Sequence, residues 1–244
     1  MTGSTGRLWG VGLGPGDPEL VTVKAARLIG AADVVAFHSA RHGRSIARSV
    51  AAPYLREGQL EEHLVYPLTT ETTDHPGGYQ GAMDDFYADC AARLAAHLDA
   101  GRDVVVLAEG DPLFYGSYMH LHVRLAATYS TEIVAGVTGM SGCWSAAGVP
   151  IAQGDDVFTA IPGSLPEQEL VRRLRETDAV VVMKLGRHLP KVRRALEQTG
   201  RLARAMYVER GTMPGAVVMP LVDKQDDCAP YFAVVLVPGW EQRR

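Results

Sequence analysis

The sequence is short of the features that mark several protein classes. It holds only 3 cysteines in 244 residues. Cys90, Cys143 and Cys228 lie far apart and form no Cys-x-x-Cys pair, so neither a zinc site nor a disulfide framework is expected. That usage suits a reducing cytoplasm. No apolar run approaches the length of a membrane span. The first six residues are small and polar, without the apolar stretch of a secretion signal. Positive charge is not in excess either: 24 Lys and Arg against 28 Asp and Glu leave a net charge of −4, which argues against a nucleic-acid surface. Repeats and low-complexity tracts are missing. Among the 8 histidines, His120 and His122 are two apart on an expected helix and do not share a face, while His38 and His42 fall in an expected loop. Neither pair has a third ligand nearby, so no metal is expected.

What remains is the composition of an ordinary globular protein, 47% hydrophobic and 21% charged, long enough for one large domain or two small ones. The most informative stretch is Gly10-Val11-Gly12-Leu13-Gly14-Pro15-Gly16-Asp17. It joins an apolar strand at residues 8–11 to a helical pattern at 20–32. Its glycines let the backbone turn tightly and present N–H groups, and Pro15 fixes one φ. The spacing fails the dinucleotide pattern G-x-G-x-x-G, which meets Pro15 or Asp17 where glycine is required, and no Gly-Lys-Ser/Thr follows. The loop reads as a binding loop for something else, or as a plain tight turn.

The first half goes on alternating. Strands are expected at 33–37, 63–66, 103–108 and 132–135. Helices are expected at 44–52, ending before Pro53, at 79–100 and at 114–127, with a polar loop over 69–78. This rhythm predicts a parallel sheet with helices on both faces. The second half has more strands per helix: 156–161, 179–185, 203–209, 217–221 and 231–237 against helices at 138–147, 166–176 and 189–199. A mixed sheet and a second unit follow, with the boundary near Val137, giving domains 1–137 and 138–244.

Two further loops fall at the carboxyl edge of the first sheet, where ligands bind in open α/β sheets. One is Glu109-Gly110-Asp111-Pro112-Leu113-Phe114-Tyr115-Gly116-Ser117; the other is Ala135-Gly136-Val137-Thr138-Gly139-Met140-Ser141-Gly142. Asp111 and Thr138 would bind a ligand or, by default, cap the helices that follow. Shaped loops converging on one edge make a ligand site likelier than any one alone.

These residues carry a resemblance. The segment 11–20 with Thr22, Lys24 and Ala25, then Glu109-Gly110-Asp111-Pro112 with Tyr115-Gly116-Ser117, resembles the tetrapyrrole (corrin/porphyrin) methylase family. Three later segments, 183–192, Tyr207-Val208-Glu209-Arg210 with Thr212-Met213-Pro214, and Pro230-Tyr231-Phe232, resemble its branch acting on C20 of precorrin-2. The resemblance runs from Leu8 to Pro238. It implies two α/β domains, the N-terminal one mostly parallel and the C-terminal one mixed, with S-adenosylmethionine (SAM) in the cleft between them, and a homodimer. It implies transfer of the SAM methyl group to C20 of precorrin-2, giving precorrin-3A in cobalamin synthesis. Alternatives are the cobalt-containing substrate cobalt-factor II, or a non-catalytic scaffold that binds SAM and tetrapyrrole.

Carried over residue by residue, Pro15 would shape the first loop. Glu109, Gly110, Asp111 and Leu113 would meet the amino-acid end and ribose of SAM, largely through backbone, with Tyr115 and Ser117 lining the same pocket. Thr138, Met183, Glu209 and Thr212 would hold the adenosine. Two departures stand out: Ala135 replaces the proline common before Gly136, and Gly211 and Gly215 loosen the segment after Glu209. No obligatory acid–base residue and no metal are implied. The substrate's carboxylates call for cations. Candidates are Arg41, His42 and Arg44 in the first half, and Lys184, Arg187, His188 and Lys191 in the second; each could equally be a solvated surface charge. No membrane or nucleic-acid partner is expected.

Overall fold

The computed structural model describes residues 5–41, 43–68 and 72–239. It falls into two compact units, Met1–Gly139 and Met140–Arg244, each built on its own five-stranded sheet.

In the first unit the strands are β1 (Leu8–Gly12), β2 (Val34–Ser39), β3 (Leu60–Val65), β4 (Val104–Ala108) and β5 (Thr131–Val134), in the order β3-β2-β4-β1-β5. Every pairing is parallel, as the alternating pattern predicts. The side chains alternate between two cores. Leu8, Val34, Ala36, Val104 and Val106 pack with α3 (Gly78–Asp99) and α4 (Tyr118–Leu125), while Trp9, Val11, Val35, Phe37, Val105 and Leu107 pack with α1 (Val23–Ala31) and α2 (Ile46–Ala51). Burial on both faces is why β4 reads as an unbroken apolar run. Val104, Val105 and Val106 are each 0% exposed, and burying each such side chain contributes about 2 kcal/mol.

The connection from β1 runs through α1 on one face, and that from β4 through α4 on the other, towards opposite ends of the sheet. Adjacent strands β1 and β4 therefore bracket the point where the strand order reverses. A crevice outside the carboxyl ends of the strands is expected at such a point.

The second unit is mixed. Its strands β6 (Phe158–Pro162), β7 (Ala179–Met183), β8 (Met206–Glu209), β9 (Val217–Pro220) and β10 (Ala233–Val237) take the order β6-β7-β10-β8-β9. Only β6 and β7 pair parallel. Helices α6 (Glu167–Arg175) and α7 (Leu189–Gln198) cover Val180, Val182, Val235 and Val237. On the other face Val181, Val208, Val234 and Leu236 meet Cys143, Met140 and Trp144 of α5 (Gly139–Ala147).

Several boundaries differ from expectation for local reasons. The first helix begins at Val23 because Asp17 and Pro18 first form a short 3-10 turn, after which Thr22 caps α1 through the Ala25 N–H at 3.2 Å. The α-helix α2 ends at Ala51, before Pro53 as expected, and the chain then winds on through a 3-10 turn, Ala52–Tyr54, where the missing N–H of Pro53 costs nothing. The helix expected from residue 114 starts at Tyr118, because Tyr115 takes a left-handed φ of 55°. Residues 202–204 wind as a 3-10 turn rather than opening β8. His38 lies in β2, not in a loop, and His42 and residues 69–71 of the expected polar loop lie outside the described residues. Among the described residues no helix is long and apolar enough to cross a membrane.

Candidate functional site

The three loops meet backbone to backbone within the first unit. The Leu13 N–H donates to the Ala108 carbonyl at 2.9 Å. Gly14 and Gly110 exchange two hydrogen bonds, at 3.3 and 2.8 Å, which ties the loop after β1 to the loop after β4. The third loop closes on both. A Cβ on Gly136 would lie 2.0 Å from the Gly110 carbonyl oxygen, and one on Gly12 would lie 2.6 Å from the Gly136 Cα. Only glycine fits that approach. Ala135 in place of proline therefore leaves the third loop held by contact.

Asp111 completes the assembly. One carboxylate oxygen accepts the Leu113 N–H at 2.9 Å and the other accepts the Gly136 N–H at 3.1 Å. Its default reading as a helix cap is corrected: α4 starts seven positions along the chain, and the carboxylate instead joins the second loop to the third. Leu113 and Tyr115 are exposed on the same loop, by 46% and 48%, whereas burial raises the pKa of the Glu109 carboxyl although the residue as a whole keeps an exposed surface. Pro15 sits between Gly14 and Gly16, both at positive φ. Ser117 points into the unit. Its hydroxyl hydrogen-bonds the phenol of Tyr66 and accepts one from Tyr87 at 3.1 Å.

Sequence reasoning gave those two tyrosines no role and weighed the imidazole beside them only as a metal ligand. His38 stacks on Tyr66 with ring centroids 5.3 Å apart and meets Phe86 and Tyr87 edge-on. Its Nε2 is buried without a hydrogen-bond partner among the described residues. Burial, with His120 as a further like charge, lowers its pKa from 6.5 to about 4, so the ring is neutral at physiological pH. Tyr87 in turn stacks on His120 at 4.2 Å. No sequence signal links these residues, because they come from β2, the end of β3, α3 and α4.

In the second unit Met183 ends β7 and packs partly buried against the Val181 face. Glu209 ends β8, where its carboxylate accepts from the Tyr207 phenol at 2.9 Å and pairs with Arg210 at 2.5 Å. The following turn is strained rather than loose. Arg210 and Thr212 both have positive φ, 51° and 70°, and a β-branched residue there is a genuine outlier. The Thr212 hydroxyl oxygen is buried with no partner among the described residues. Gly211 does not loosen this segment: a Cβ on it would meet the Cys143 Cα at 2.8 Å, so the glycine permits close packing on α5. Thr138 directly precedes α5.

The candidate cations separate by unit. Arg41 and Arg44 follow β2 and are exposed. Lys184, Arg187, His188 and Lys191 gather after β7, with Lys184 at a left-handed φ of 55°. Burial and the charges of Lys191 and Arg187 lower the His188 pKa, the direction expected where cations crowd together. Among the described residues no three His, Cys, Asp or Glu side chains group as metal ligands.

Comparison with known proteins gives concordant matches. A family profile described as Tetrapyrrole (Corrin/Porphyrin) Methylases matches residues 7–222. A cobalamin biosynthesis protein, CobIJ, of Mycobacterium bovis is 60% identical over 238 residues, which cover 98% of this chain and 47% of that protein. The chain thus spans about half the length of that relative. A precorrin-2 C(20)-methyltransferase of a Sinorhizobium species is 57% identical, covering 98% of this chain and 97% of that one. Among solved structures, a Thermus thermophilus uroporphyrin-III C-methyl transferase complexed with S-adenyl homocysteine superposes with a TM-score of 0.66 and 25% identity, over 95% and 96% of the two chains.

Proposed function

Since the chain belongs to the tetrapyrrole (corrin/porphyrin) methylase family, we propose that it transfers the methyl group of SAM to C20 of precorrin-2, giving precorrin-3A in cobalamin synthesis. The observation that carries this reading is the 57% identity, over nearly the full length of both chains, with an enzyme named for that substrate and carbon. The bound S-adenyl homocysteine of the Thermus structure, the demethylated form of SAM, supports SAM as donor.

The residues present fit such a cofactor. The joined loops of the first unit offer backbone around Gly110, with Leu113 and Tyr115 exposed beside it. The unpartnered Thr212 hydroxyl suits a polar edge of a nucleoside. In this reading Pro15, Glu109, Gly110, Asp111, Leu113 and Tyr115 face SAM from the first unit, and Thr138, Met183, Glu209 and Thr212 hold its adenosine.

SAM supplies an electrophilic methyl on a positively charged sulfur. The C20–methyl bond forms as the sulfur–methyl bond breaks, its electron pair stays on sulfur, and the C20 proton then leaves to solvent. The leaving thioether is neutral, so the protein's main contribution is positioning, and preorganised geometry can supply several kcal/mol, roughly 7–11 in well-oriented model reactions. A backbone-to-backbone cradle is suited to that task because it has no rotamers to lose. Arg41, His42, Lys184, Arg187 and His188 are assigned to the substrate carboxylates, and cytoplasmic location and a homodimer belong to the same reading.

The test is anaerobic incubation with precorrin-2 and SAM carrying a carbon-13 methyl, beside a parallel tube of cobalt-factor II. One labelled methyl on C20 in the precorrin-2 tube alone is the expected result. Transfer only to the cobalt substrate moves the assignment to the anaerobic branch. No transfer to either, with SAM binding intact, favours the scaffold. Sedimentation of the same sample checks the dimer.

A further inference from the structure

The loop after β4 is fixed at its start by the Gly14–Gly110 pair and by Asp111. Its far end has another anchor. Tyr66, just past β3, and Tyr87, on α3, bring their phenols to the single hydroxyl of Ser117, the residue before α4. Both rings are themselves clamped, Tyr66 by His38 and Tyr87 by His120. Tyr87 is 6% exposed, so its phenol has little access to water, and a buried hydroxyl must find a partner within the protein. Between the two anchors lies Tyr115 with its left-handed backbone. Such a conformation persists only where its surroundings over-determine it.

We propose that Tyr66 and Tyr87 are positioning residues for the SAM-binding loop, and that the Ser117 hydroxyl is their shared anchor rather than a ligand contact. The inference rests on the SAM reading above. A serine oxygen can donate one hydrogen bond and accept two, so both phenols are satisfied together without an external group. Two of the three hydrogen bonds open to the hydroxyl that resemblance places in the cofactor pocket are thus already made within the protein. Its effect on SAM reaches the ligand through the backbone of residues 113–116.

The test uses Tyr66→Phe, Tyr87→Phe, the double variant, Ser117→Ala and the triple variant. Phenylalanine keeps the stacking on His38 and His120, so the fold is retained. Two measurements are made on the full chain: hydrogen exchange of the 113–117 amides without ligand, and SAM affinity by calorimetry. Each phenylalanine single variant should speed exchange at these amides and weaken SAM roughly three- to tenfold, the range for one lost hydrogen bond, and Ser117→Ala, which removes both bonds, should match the double variant. The melting temperature should move little. Ser117→Ala should add nothing to the double phenylalanine variant, because the anchor is already gone. Unchanged exchange in the phenylalanine variants overturns the proposal whether or not SAM binds. So does a Ser117→Ala loss of SAM affinity that the double variant fails to reproduce, which would mark a direct contact. Faster exchange together with a wild-type protein that binds no SAM would support the anchor and overturn the cofactor reading instead.

Discussion

Acid should weaken the first unit through one imidazole. His38 sits against Tyr66 from the end of β3, Phe86 and Tyr87 from α3, with His120 of α4 as the nearby like charge. No carboxylate is among these neighbours. In the unfolded chain the ring takes a proton near pH 6.5, and in the folded unit only near about 4. Between those values the unfolded chain holds a proton that the folded one lacks, so stability falls as pH falls. The contribution of the neutral ring is complete above 6.5, declines through the window, and is gone below about 4. The whole window is worth about 3 kcal/mol, and about 2 kcal/mol of it is lost by pH 5. Glu61 and Glu62, held below the usual carboxylate range chiefly by Arg48 and by His97 and Arg93 against the cost of burial, push in the same direction. A difference measurement is therefore needed. His38→Phe keeps a ring in the stack and cannot titrate. Native-state hydrogen exchange of the β2 and β4 amides reads the opening free energy of this unit, apart from the second. The wild-type value minus the His38→Phe value should drop by about 2 kcal/mol between pH 8 and pH 5. An imidazole that titrates near 6.5 by NMR, or a difference independent of pH, would refute the reasoning.

Three more outcomes follow from the loops. Gly136→Ala places a Cβ 2.0 Å from a backbone oxygen; it should destabilise the first unit by at least about 2 kcal/mol, read by urea unfolding, and abolish SAM binding. Asp111→Asn turns one acceptor into a donor, facing either the Gly136 or the Leu113 N–H; it should cost about 1–3 kcal/mol and remove protection at that amide. Thr212→Gly relieves a φ of 70°; it should stabilise the second unit by about 1 kcal/mol while weakening SAM, and a loss of stability would show that the turn stores no strain.

The strands were legible wherever both faces are buried. The run from Val104 to Ala108 is apolar throughout, as a strand buried on both faces is, and β7 and β10 read the same way. The glycine loops were legible as loops, and the order of sheet and helix followed from their rhythm. What the chain hides is which loop touches which. The Asp111 carboxylate meets a donor 25 positions away, and Ser117 meets phenols 51 and 30 positions away. An aspartate ahead of a helix reads locally as a cap, because its nearby partner, here the Leu113 N–H, is visible in the sequence and the Gly136 N–H is not. The start of α4 was misplaced for a related reason. Periodicity records apolar spacing, whereas the left-handed backbone at Tyr115 is imposed from outside the segment.

The contact among Gly12, Gly110 and Gly136 has a consequence for how this protein can vary. At Gly12 and Gly136 the nearest atoms are backbone, so a rotamer change cannot relieve a shift at that point. Loop length becomes the rigid variable and side-chain identity the free one. Exposed positions such as Leu113 can change at small cost, and with them the chemistry presented to a ligand. A single residue inserted between Gly110 and Ser117, or between Gly12 and Gly16, would drive one loop out of register with both others. Diversification of such a scaffold would proceed by substitution within loops of fixed length, and an engineer seeking a new ligand would do well to leave the spacing untouched.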